Sequence, residues 1–167
     1  YLGDGILVYF GYPVAHENDA HRAVSSGLGI IDAIERFSKR MYDQKKIKIA
    51  VRLGVHTGHV VIGDMGGEGK TEQLALGATP NIAARLEGIA DTNSLVISSD
   101  TYKLVHRFFD CDEGGLHELK GISKPMQVYK VHHENVAKSR LEDQDGVDRL
   151  PLIGRTEEVQ RIMNKWE

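Results

Sequence analysis

An asparagine and an arginine four residues apart, Asn81 and Arg85 in TPNIAARLEG, can act together on a ligand. At helical spacing they leave the same face, and an amide beside a guanidinium suits sugar and phosphate oxygens. The same spacing also describes a solvent-facing asparagine and an arginine near a helix C-terminus, so it leaves both readings open. Asp4, in GDG, is either a carboxylate of the kind Mg²⁺ takes beside substrate phosphates or plain hairpin chemistry. Lys120, in LKG, can meet a phosphate or stand solvated in its loop.

The stretch GDMGGEGKT, residues 63–71, ends like a phosphate-binding loop. That pattern needs a glycine five residues before Gly69, where this chain has Asp64, a side chain of the wrong charge for a triphosphate. Gly63 makes the loop one residue too long, and Leu74, Ala75 and Leu76 lead to Gly77 rather than into a helix. A hairpin tip is the better reading. His56 and His59 are three apart without a cysteine pair, and His132 and His133 are adjacent and face opposite ways, which is no zinc pattern. Cys111 lacks the context of a nucleophile and reads as a buried thiol.

These residues need elements to hold them. YLGDGILVYFGYP reads as two strands around an Asp4-Gly5 turn. Ala20, Val24, Leu28, Ile31, Ile34, Phe37 and Met41 recur by three and four, one face of a long helix capped by Asn18 or Asp19, with Gly27 and Gly29 marking close packing on a sheet. From Ile47 to Val55 the period is two, a half-buried strand, and HVVIGDM returns as a second strand. Thr79-Pro80 places a capping hydroxyl before a proline at the first position of a short helix, NIAARLEGIA. SLVIS reads as a strand, SDTYKLVHRF as a capped helix, and FFDCDE, LHELKG and MQVYKVHH as three more strands. The irregular alternation implies an α+β sandwich. Residues 134–149 are polar and aperiodic, a linker, and a new amphipathic helix starts after it.

Composition sets bounds. With 41% hydrophobic and 27% charged residues the 167-residue chain is globular, with room for about one domain. A formal net charge of −3 gives no broad basic surface for nucleic acid. One cysteine cannot make an intrachain disulfide, and no apolar run nears the ~20 residues of a membrane span, so a cytoplasmic protein without membrane contact is expected. The start at Tyr1, inside a strand and without Met, suggests a piece of a longer protein.

Taken in order, YLGDGILVYFGYP, VRLGVHTGHVVIGDMG, LALGATPNIAARLEG and ELKGISKPMQVYKV resemble the catalytic domain of class III nucleotide cyclases, and most of all the bacterial, soluble-cyclase-like type that precedes an ATPase module. The likeness covers residues 1–133, and LPLIGRTEEVQRIMNKW, within 150–167, resembles the start of that following module. It implies an α+β, ferredoxin-like antiparallel-sheet sandwich here lacking its first strand and first helix. It further implies a head-to-tail homodimer using Mg²⁺ or Mn²⁺ to convert ATP, less readily GTP, to a 3′,5′-cyclic nucleotide and pyrophosphate.

On this resemblance Asp4 matches one of the family's two metal aspartates, and Asn81 and Arg85 match the pair that holds the ribose and stabilises charge on the α-phosphate. Lys120 matches a lysine on the terminal phosphates; Leu74 and Gly77 fall on the purine side of the site. Leu74 stands where the family usually has a polar residue reading the base edge, and Ala78 where an acidic residue is common. A leucine packs on a base but cannot hydrogen-bond it, so base choice stays open. The first metal aspartate and a purine-reading lysine would lie upstream of Tyr1. The resemblance implies that metals come from one subunit and the Asn/Arg pair from the other, so that a monomer would be inactive by geometry. Two other classes compete: a degenerate cyclase-like module that regulates an attached ATPase, and a dimerisation unit with no ligand.

Overall fold

A computed structural model describes residues 5–65, 72–120, 122, 124–135, 160, 161 and 164. The chain divides into two compact units, Tyr1–Val136 and Ala137–Glu167. In the second, Gln160 and Arg161 are helical and the Asn164 amide donates to the Gln160 carbonyl at 3.0 Å.

The first unit opens on an extended segment and helix α1, Asp19–Lys45. Ile6 and Val8 are exposed and the segment from Ile6 to Tyr9 joins no sheet, so the expected second strand is not formed; its hairpin partner falls on residues outside those described, as does Asp4. Asn18 sits at the N-cap of α1 without a side-chain bond, while the Asp19 carboxylate accepts the His16 amide at 2.7 Å. The helix stops at Lys46, left-handed at φ 58, whose amide still reaches the Tyr42 carbonyl. Val24 is fully buried, with Ala20, Leu28 and Ile31 packed beside it, as the spacing predicts. Phe37, expected on the same face, is 40% exposed. A 27-residue helix is about 40 Å long and outruns strands of four or five residues. Gly27 does mark close packing, since a Cβ there would lie 3.1 Å from Leu95 Cδ2; Gly29 faces open space.

Strand β1 is Arg52–Val55 and does not begin at Ile47. The Ile49 amide donates to Ser38 Oγ and the Val51 amide to Asn93 Oδ1, so side chains hold the backbone groups that a ladder would need. β2, Val61–Met65, pairs antiparallel with β3, Glu72–Leu76, as a separate two-stranded sheet, with Gly63 opposite Leu74. Its arms flank residues 66–71, where a hairpin tip was expected in place of a phosphate loop. β2 does not pair with β1 as the sequence suggested.

The main sheet has the order β1-β4-β6-β5, where β4 is Ser94–Ser98, β5 Phe109–His117 and β6 Met126–Glu134. It is mixed rather than antiparallel throughout. β1 and β4 run parallel, Arg52 opposite Ser94, because helix α2, Ala78–Ile89, lies between them in the chain and carries it back. The other pairs are antiparallel. FFDCDE and LH belong to one strand, β5: Gly114-Gly115 makes a bulge in place of a break, with Gly115 at φ 84 and a register shift opposite Tyr129 and Val128. The expected strand LHELKG ends at His117, and Leu119 and Lys120 lie in the following loop.

Every residue of β4 is buried, the mark of a central strand covered on both faces. Leu95 and Ile97 point to a cluster with Val24, Val105, Phe109 and Val131, under α1 and helix α3, Ser99–Val105. Val96 points the other way, to Ile82, Leu86, Ala90, Leu119 and Val128, under α2. α3 is capped as expected: Ser98 Oγ accepts the Thr101 amide at 3.2 Å. Its Tyr102 ring stacks on Tyr129 of β6, 3.6 Å between centroids and 3° from parallel.

Candidate active site

α2 is set down on β1 with nothing between the backbones. A Cβ at Gly54 would lie 2.3 Å from the Glu87 nitrogen and 2.4 Å from the Ala83 oxygen, so only glycine admits the helix here. Ile82 and Leu86 fill the cluster below, and this fixes the rotation of the helix. Asn81 and Arg85 then stand one turn apart on the helix. Asn81 is exposed, its amide 3.4 Å from the Gly77 carbonyl, and Gly77 is the N-cap at φ 131, ψ −175. Arg85 is half-buried, and its Nη1 is fully enclosed without a hydrogen-bond partner among the described residues. Burying part of a guanidinium unpaired costs on the order of 1–3 kcal/mol or more, which singles this atom out among the described polar groups.

The expected cap at Thr79 is not made. Its hydroxyl donates instead to the His59 carbonyl at 2.7 Å, on the loop after β1. Lys120 is exposed on a cleft of about 430 Å³ shared with Glu118, Leu119, Ile122 and Pro125, and buried Leu119 anchors that loop against Ile82 and Leu86. Ile82 and Leu86, which neighbour Asn81 and Arg85 on α2, and Leu119, which neighbours Lys120, thus share one core cluster, whereas Leu74 is on β3 of the smaller sheet and Asp4 lies outside the described residues. Among the described residues no group of three His, Cys, Asp or Glu side chains is placed to hold a metal ion, so a metal site cannot be built from them. No helix among them is long and apolar enough to cross a membrane.

A buried polar network that spacing did not reveal ties this region to α3. His56 Nδ1 bonds Ser98 Oγ at 2.8 Å, and Thr57 Oγ1 bonds Thr101 Oγ1 at 3.0 Å. Burial holds the His56 imidazole below its usual 6.5, against a smaller pull upward from the Asp100 carboxylate. Because the unfolded chain then takes the proton first, His56 supports the fold fully above about pH 6.5 and withdraws that support as pH falls through its folded value. His56→Gln is expected to flatten the decline of the urea midpoint between about pH 7.5 and 5.5; an unchanged slope would refute this. Burial, with Asp110 and Asp112 adding, pushes the Cys111 thiol up to about 11, which fits an inert thiol and not a nucleophile.

The model of the adenylate and guanylate cyclase catalytic domain matches residues 1–133. The chain belongs to this cyclase family. Adenylate cyclase 1 of Rhizobium meliloti is 28% identical over 77% of the chain, which spans 20% of that relative. The solved adenylyl cyclase CyaB of P. aeruginosa is 29% identical with a TM-score of 0.74, covering 84% of this chain and 71% of that one. The guanylate cyclase domain of RhGC from Catenaria anguillulae, solved with GTP, is 29% identical with a TM-score of 0.68, covering 75% and 66%. The cyclase-family chain described here spans about a fifth of the length of the curated relatives it matches.

Proposed function

We propose that the chain is the catalytic domain of a purine nucleotide cyclase that converts ATP to cyclic AMP and pyrophosphate in the cytoplasm. The observation that carries the reading is the enclosed Nη1 of Arg85, without a hydrogen-bond partner among the described residues and one turn from Asn81 on a helix fixed by Gly54. Asn81 orients the ribose so that its 3′-hydroxyl faces the α-phosphate. A new P–O bond forms there, the bond to the β-phosphate breaks, pyrophosphate leaves with the electron pair, and the hydroxyl proton passes to solvent. Arg85 donates to the α-phosphate oxygens as charge builds on them, help that falls on the transition state and so raises turnover. Lys120 meets the terminal phosphates. Asp4 remains the residue of this chain that would hold a divalent ion, Mg²⁺ or Mn²⁺, and no step above is routed through it.

Both adenylate and guanylate cyclases are among the similar proteins, and Leu74 offers a base edge no hydrogen bond. Incubating the full-length protein with ATP or GTP and either ion, and weighing the product, decides the base. Cyclic AMP supports the proposal, cyclic GMP corrects the base, and no product from folded protein moves the reading to a regulatory module for a downstream ATPase.

In the head-to-tail homodimer that we also propose, Asp4 and Arg85 of one chain serve different sites. Asp4→Ala and Arg85→Ala variants, each inactive, should then recover about a quarter of wild-type activity when mixed and allowed to exchange subunits, since half the dimers gain one intact site. A mixture as inactive as its parts would refute the shared site.

A further inference from the structure

A hydrogen bond ties the start of α2 to the loop after β1, and we propose that Thr79 is a positioning residue for Asn81 and Arg85. The inference rests on the cyclase reading above and adds to it a residue that touches no substrate. Gly77, at the N-cap, has no side chain to cap with, and no side chain makes a cap bond there. The bond from Thr79 Oγ1 to the His59 carbonyl, 2.7 Å long and spanning 20 residues of sequence, therefore does the anchoring.

The loop side is shaped to receive it. A Cβ at Gly58 would lie 2.7 Å from Thr79 Oγ1 and 3.4 Å from its Cγ2, so glycine leaves the space the threonine occupies. The far end of the loop is pinned in turn, by Thr57 to Thr101 and by His56 to Ser98, into the buried cap of α3. Thr101 Oγ1 also approaches the Val55 carbonyl at 3.4 Å. A run of polar contacts thus leads from the central strand to a point two residues before Asn81. Gly54 sets the height of the helix over the sheet; Thr79 sets where it begins. A shift of about 1 Å in that start moves the amide and guanidinium off the ribose and α-phosphate, a displacement that costs up to about 10² in rate.

The test uses the full-length protein. Thr79→Val keeps the shape and removes the hydroxyl; Thr79→Ser keeps the hydroxyl. Thr79→Val is expected to lower kcat about tenfold or more with KM within about twofold, because the affected groups act on the transition state. Thr79→Ser should return kcat to within about threefold of wild type. Gly58→Ala, whose added carbon would meet the same oxygen at 2.7 Å and His56 Nε2 at 3.2 Å, should also lower kcat. Normal kcat in Thr79→Val, or equal loss in Thr79→Val and Thr79→Ser, would each overturn the inference while leaving the cyclase reading standing. A folded wild type that makes no cyclic nucleotide would overturn the reading itself, and this inference with it.

Discussion

Arg85→Ala is expected to lower cyclic nucleotide production about a hundredfold or more, a loss of about 2.7 kcal/mol of transition-state stabilisation. The size follows from where the guanidinium sits. Its Nη1 is enclosed away from water and has no partner among the described residues, so on the proposed reading it would donate to substrate in a medium where a charged hydrogen bond is strong. Arg85→Lys keeps the charge and loses the planar fork, and should recover only part of the rate. Stability separates this from a structural role. A guanidinium held for the fold would take stability with it when removed, whereas deleting an unpaired buried N–H should leave the melting temperature unchanged or slightly raised. Turnover near wild type in Arg85→Ala would sink the cyclase mechanism; a large drop in melting temperature would reassign the residue to the fold.

Gly54→Ala is expected to be the most damaging added methyl among the described glycines, destabilising by about 3 kcal/mol, the upper end for overpacking. The added carbon would meet the Glu87 nitrogen, the Ala83 oxygen and the Leu86 carbonyl carbon at 2.3, 2.4 and 2.8 Å. These are backbone atoms, so no side chain can turn aside, and the whole of α2 must lift from β1. Urea unfolding should show a lower midpoint, and the protein that remains folded should have reduced turnover because Arg85 follows Ala83 by two residues. A midpoint within about 0.5 kcal/mol of wild type would show that α2 is not held as close as described.

Much of the scaffold was legible in the sequence because it obeys local rules. Val24, Leu28 and Ile31 at helical spacing, SLVIS as an apolar run and SDTYKLVHRF as a capped helix each report on their own neighbourhood, and each forms, with Ser98 of the strand supplying the cap. What failed was non-local. Ile47 and Ile49 alternate like a strand, yet the amides of Ile49 and Val51 are taken by Ser38 and Asn93, 11 and 42 residues away. Gly114-Gly115 reads as a break and is a bulge, since the partner strand β6 carries on past it. Nothing local says that β1 pairs parallel with β4 across a hairpin and a helix. For the site, Asn81 and Arg85 were visible as a spacing, but the enclosure of Nη1 and the diversion of Thr79 from cap to loop are products of packing.

The stacked rings of Tyr102 and Tyr129 give the protein a built-in optical reporter. Two phenols 3.6 Å apart and nearly parallel couple their electronic transitions, and held rigid in a chiral setting they should dominate the near-ultraviolet circular dichroism of the first unit. The chain's single tryptophan, Trp166, belongs to the second unit, Ala137–Glu167. Tyrosine dichroism near 275–280 nm would therefore follow the docking of α3 on β6 with no label attached.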